Sequence, residues 1–188
     1  KTIKSLKDHV IICGYGRNGQ QAAQKLEKVA KPFVVIEMDA EKAEKMRLSG
    51  LLVVEGNATE DATLKRAGIE EAQDLIASLP SDASNLFVVL SARQLRPSIN
   101  IISKAHAEES KGKLQIAGAN HVIMPEHIGG NHMASLVSSP DLVEFLDSIA
   151  VDGSASSNLE ELSCDVLPDH FIGKSLRDLN LRSIAGCT

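Results

Sequence analysis

The stretch Val10-Ile11-Ile12-Cys13-Gly14-Tyr15-Gly16-Arg17-Asn18-Gly19 decides the fold. Its first half is an apolar, β-branched run with the look of a buried strand. Its second half is a GxGxxG turn that opens onto the helical spacing of residues 19–29. Gly14 permits a tight turn, Gly16 lets backbone approach a pyrophosphate, and Gly19 lets the helix pack against the strand. A phosphate then meets free N–H groups at the helix start. Such a site also needs a carboxylate at the end of the next strand to accept the ribose hydroxyls, and Glu37 closes the apolar run 33–37. Glycines kept only for a packed turn, with a solvated Glu37, are the plainer alternative. Strand, helix and acid in the right order together favour binding.

Working outward, residues 9–13, 33–37, 51–55, 75–78, 99–103 and 121–124 read as short buried strands. The segments 19–29, 40–49, 59–67, 82–94 and 111–117 carry helical spacing between them. Strand and helix alternate throughout, which predicts an α/β, Rossmann-like doubly wound parallel sheet covered on both faces. After residue 125 the rhythm changes. Residues 128–137 predict a helix, and Ser139-Pro140-Asp141 reads as an N-cap with proline at the first helical position of another, running to about 148. The expected organisation is a nucleotide-binding domain at 1–125, a helix-turn-helix arm at 126–150, and a linker with the start of a small further lobe at 151–188.

Composition narrows the function. A net charge of −5 and 3% aromatic residues lack the positive field and stacking surface of a nucleic-acid partner. Cys13, Cys164 and Cys187 form no Cys-x-x-Cys pair and suit a reducing, cytoplasmic setting. Glu37 repels a 2′-phosphate, and its neighbour Met38 is not the arginine that often accepts one. The expected ligand is therefore NAD(H), ATP, ADP or AMP. Tyr15, Arg17, Asn18 and Ser78 join the candidate binding set, as do Asn57 and Ala58 on the adenine side; Arg17 equally reads as a solvated loop residue, and Thr59 as a plain N-cap. Glu126 and His127, near His121 and His132, are a candidate divalent-cation site or else a solvated connection. Tyr15 is the sole tyrosine and Gly19 stands four places after it, which excludes a Tyr-x-x-x-Lys reductase. Binding and regulation without catalysis fit better, an NAD-dependent oxidoreductase fragment being the alternative.

The sequence resembles the RCK (KTN, TrkA-N) family, regulators of conductance of potassium attached to prokaryotic potassium channels and transporters. The segments that carry the resemblance are Lys7–Gly19, Val35-Ile36-Glu37, Gly56-Asn57-Ala58-Thr59, Asn85, and Gly118–Glu126. It implies phosphate-binding positions at Gly14, Gly16, Arg17 and Gly19, a ribose position at Glu37, and adenine-side positions at Asn57 and Ala58. It also implies an arm that pairs two domains into a dimer, dimers that stack into an octameric ring, and a membrane-embedded potassium pore above a cytoplasmic ring. Asn57 stands where the family often has aspartate, and Lys104 where the fifth strand often ends in arginine. Leu6-Lys7-Asp8-His9 looks like the entry to a domain fused behind a channel pore; the regulatory domain of a cation/proton antiporter is the alternative. Phe171–Leu179 looks like the opening of the family's C-terminal lobe.

Overall fold

The computed structural model describes residues 3–141 and 143. Strands β1 (Val10–Cys13), β2 (Phe33–Glu37), β3 (Val53–Glu55), β4 (Asp74–Ala77), β5 (Asn100–Lys104) and β6 (His121–Ile123) form one parallel sheet. Its order is β3-β2-β1-β4-β5-β6. The crossovers are α1 (Arg17–Lys28), α2 (Ala40–Leu48), α3 (Asp61–Arg66), α4 (Asp82–Leu95) and α5 (Glu108–Ile116). This is the expected Rossmann-like architecture.

Strand periodicity splits the core into two layers. Val10, Ile12, Val35 and Val53 face Ala23 of α1 and Ala43 and Met46 of α2. Ile11, Cys13, Val34, Ile36, Leu75 and Ile101 point the other way, onto Leu64, Val88, Val89, Ala92 and Leu114 of α3, α4 and α5. The order runs outward from β1 in both directions, so right-handed crossovers place α1 and α2 on one face and α4 and α5 on the opposite one. Full coverage of both faces was expected; instead Ile76, packed against the α1–α2 layer, and Ile102 are only half-buried, and Ile123 on the same face is 39% exposed.

The last described helix, α6 (Pro125–Ser138), begins three residues before the expected position. Pro125 has no N–H to lose and takes the first helical turn, while the His127 and Ile128 N–H groups both bond the Met124 carbonyl at 3.1 Å. The helix buries none of its residues, leaving Ile128, Met133, Leu136 and Val137 exposed. A new helical segment starts at Pro140, as its sequence predicts, with the Val143 N–H on the Ser139 carbonyl at 3.2 Å. The sheet domain is one compact unit up to Ala134, and residues from Ser135 fall outside it. The remainder of the expected arm, the linker at 151–158, the strand near 162–166 and the helix near 175–179 lie outside the described residues. No described helix is long and apolar enough to cross a membrane.

Candidate nucleotide site

The two neighbours of β1 lead away in opposite directions, and a crevice opens beyond the carboxyl ends of the strands at such a switch point. Here it has a volume of about 720 Å³, within the range of small-molecule sites. Its walls are Gly14, Tyr15, Gly16, Arg17 and Asn18 after β1; Ile36, Glu37, Met38 and Lys42 around β2; Gly56, Asn57, Ala58 and Thr59 after β3; and Ser78, Leu79, Pro80, Ser81 and Ser84 after β4, with Lys104 and His106 after β5.

The three glycines of the loop do different work. Gly14 has φ +90°, a left-handed conformation, and a Cβ there would meet the Leu79 side chain at 3.0 Å. A Cβ at Gly19 would sit 2.1 Å from the Gly14 carbonyl oxygen, so helix and strand approach closely only without one. Gly16 has an ordinary φ of −76°, and a Cβ there would meet no atom within 4 Å. The chain itself requires glycine at 14 and 19 but not at 16. Gly16 is also the N-cap of α1 and supplies no side-chain hydrogen bond. The helices α3 and α5 start without one too, whereas Asp39 caps α2 and Ser81 caps α4, but only the α1 start opens on the crevice through a residue without a side chain. The positive end of the α1 dipole therefore faces open space in the crevice.

The loop is held from behind. The Ser78 hydroxyl, nearly buried, reaches the Cys13 carbonyl at 3.1 Å and the Gly14 carbonyl at 3.0 Å. The Glu37 carboxylate accepts the Tyr15 N–H at 3.2 Å and the Asp39 N–H at 3.0 Å, one on each oxygen. Both oxygens keep a lone pair for a ribose diol, and the side chain needs no rearrangement to offer them. Met38, 72% exposed, lies beside them on the rim. Burial pushes the Cys13 thiol up to about 12, which makes this strand-end cysteine packing and not a nucleophile.

Thr59 is not a helix cap. The N-cap of α3 is Glu60, and Asn57 instead builds a local turn, its Oδ1 accepting the Thr59 N–H at 3.1 Å and hydroxyl at 2.9 Å. The Asn57 amide NH₂ stays available at the crevice wall beside buried Ala58.

The β4 and β5 side carries residues that the motif reading missed: Leu79, Pro80, Ser81, Ser84 and His106. The fully buried Asn85 ties this side together, accepting the Leu79 N–H at 2.9 Å and donating to the Leu79 and Lys104 carbonyls at 3.2 and 3.1 Å. Asp82 accepts the His106 and Ala107 N–H groups and meets the His106 Nδ1 at 2.9 Å. Burial raises its carboxyl, but the Ala107 N–H, the His106 ring, Ser110 and the His106 N–H outweigh it and hold the group at about 2. Arg17, Lys42, Lys104 and His106 set basic groups around the crevice, whose lining holds one carboxylate, Glu37.

The proposed cation cluster does not assemble. Among the described residues no three His, Cys, Asp or Glu side chains come close enough to hold a metal. His127 and His132 are not at the three- or four-residue spacing that shares a helix face. Glu126 instead faces the Lys104 ammonium at 3.7 Å.

The model of the TrkA-N domain matches residues 10–125. A probable potassium channel protein 2 of Methanocaldococcus jannaschii is 41% identical over 99% of this chain, which spans 56% of that protein. A putative cation/proton antiporter of Escherichia coli, YbaL, is 33% identical over 74% of the chain and 25% of its own length. The solved TrkA-N domain of that inner membrane protein aligns with a TM-score of 0.68 at 32% identity, covering 71% of this chain and 98% of the other. The GsuK channel bound to NAD aligns with a TM-score of 0.59 at 28% identity, covering 65% and 23%.

Proposed function

The chain belongs to the TrkA-N domain family, and from that premise we propose that it is a regulatory domain that binds an adenine nucleotide and passes the binding event to a potassium channel or transporter. The observation that carries the reading is Gly16: an uncapped helix start with open space above it, which nothing in the chain itself requires to be glycine. A pyrophosphate lying over Gly14 and Gly16 receives the N–H groups of Arg17, Asn18 and Gly19, while Glu37 takes the ribose diol. The adenine lies between Met38 and the Asn57–Ala58 wall. NAD(H), ATP, ADP and AMP all carry the shared adenosine-5′-phosphate that this geometry asks for. The solved GsuK channel with NAD is in keeping with it.

The domain reads its ligand and does not transform it. Residues 126–150 are the arm through which two copies pair, dimers stack into a ring, and the ring sits at the cytoplasmic face of a membrane pore on the same or another chain. The likeness to YbaL favours a second reading, in which the membrane partner is a cation/proton antiporter and the nucleotide site is the same. Calorimetric titration with NAD+, NADH, ATP, ADP and AMP tests the proposal. At least one of them binds with 1:1 stoichiometry if it holds. Failure of all five removes the sensor reading, and turnover of NAD on a small substrate replaces it with an oxidoreductase.

A further inference from the structure

The basic side of the crevice is connected to α6 by one ion pair. Lys104, at the end of β5, lines the crevice with a side chain only 13% exposed, and its Nζ lies 3.7 Å from Oε1 of Glu126 in the first turn of α6. Glu126 is 53% exposed. Its own backbone N–H at the helix start holds its carboxyl below the ordinary range; burial opposes this, and Lys104, His106 and Arg17 add smaller effects in the same downward direction. All three of these residues line the crevice. An anion that enters this part of the crevice therefore competes with Glu126 for Lys104.

We propose that Lys104 is a two-position switch, paired with Glu126 at the root of α6 in the empty domain and with a phosphate of the bound nucleotide in the occupied one. The inference rests on the nucleotide reading above and adds its coupling element. With its carboxylate half-exposed and 3.7 Å from the ammonium, the pair is weak enough to exchange. A multiply charged phosphate is the better partner for the ammonium. Uncharged adenosine has nothing to offer Lys104 and leaves Glu126 paired. The switch thus reads the phosphate and not the base, and its output appears at the start of the helix that opens the arm.

Calorimetry with ADP and with adenosine, on the full chain, tests this. Glu126→Gln removes the competitor and tightens ADP roughly threefold to fivefold, while adenosine is unchanged. Lys104→Met weakens ADP roughly tenfold and makes it indifferent to Glu126→Gln, and Lys104→Arg restores both properties. Hydrogen exchange gives the output: ADP, but not adenosine, alters exchange of the His127 and Ile128 amides in the natural protein and has no such effect in Lys104→Met. Equal ADP affinity in the natural protein and Glu126→Gln overturns the switch while leaving the nucleotide site intact. So does an unaltered ADP response of α6 in Lys104→Met. If neither ADP nor adenosine binds the natural protein, the nucleotide reading and the switch fall together.

Discussion

Substituting two glycines of the same loop separates a ligand site from a packed turn. At Gly16 a valine Cβ enters open space at an ordinary backbone conformation. The fold loses only the N-cap preference of glycine over an apolar residue, about 0.5–1 kcal/mol, and melts about 2–5 °C lower. The new side chain stands where the pyrophosphate approaches the α1 start, and it displaces at least two charge-assisted hydrogen bonds worth about 1.5–3 kcal/mol each. A loss of about 3 kcal/mol is roughly a hundredfold in Kd. At Gly19 the balance reverses: an alanine Cβ 2.1 Å from the Gly14 carbonyl forces helix and strand apart, an overpacking cost of about 1–3 kcal/mol or more. Calorimetry with ADP and a thermal melt of each variant are sufficient. Gly16→Val is expected to fold and not bind, and Gly19→Ala to melt earlier. Unchanged ADP affinity in Gly16→Val, or a Gly16→Val melt as depressed as that of Gly19→Ala, would mean that Gly16 serves the turn and not a ligand.

Glu37, fixed by two backbone N–H groups, should disfavour NADP+ against NAD+ by roughly tenfold, and Glu37→Gln should narrow that gap while weakening NAD+; equal affinities for the two cofactors in the natural protein contradict the ribose assignment. Asp82 has a folded pKa depressed to about 2, so its contribution is present above the usual carboxylate range and is lost as pH falls from about 4 toward 2. Asp82→Asn should accordingly cost on the order of 1 kcal/mol at neutral pH after allowance for solvent screening, and denaturant curves of the two proteins should converge near pH 2; a pH-independent gap would point to packing instead. The exposed Met133 and Leu136 of α6 predict self-association through the arm, so Met133→Glu with Leu136→Glu should convert a dimer to a monomer by light scattering, and a natural protein already monomeric at tens of micromolar would remove the arm from the mechanism.

The sequence was most legible where one local rule governs. Phe33–Glu37 forms a strand with the expected bounds, because a β-branched run closed by one acid has few alternatives. The switch-point loop was readable because glycine spacing encodes backbone geometry directly. Legibility failed where long-range contacts decide. α5 starts at Glu108 and not Lys111, since its first turn is acidic and carries no apolar periodicity, and the Ala107 N–H at its start is satisfied by Asp82 from the neighbouring helix. The start of α1 at Arg17 hides inside the glycine motif, whose glycines argue against helix. Thr59 resembled a cap until Asn57 claimed its N–H. The β4–β5 wall of the site, above all His106, has no motif. Only the rule that strand ends on both sides of a switch point line one crevice could have found it.

An adenine nucleotide is expected to lie across the end of β1, with its phosphates on the α1 start and its ribose on Glu37. Backbone amide NMR during titration with ADP tests it most directly, because the N–H groups in question are themselves the binding groups. The largest shifts are predicted at Gly16, Arg17, Asn18 and Gly19, with smaller ones at Met38, Asn57 and Ala58. Saturable shifts that leave the Gly14–Gly19 amides unmoved, or no shifts at millimolar ADP, would contradict the account.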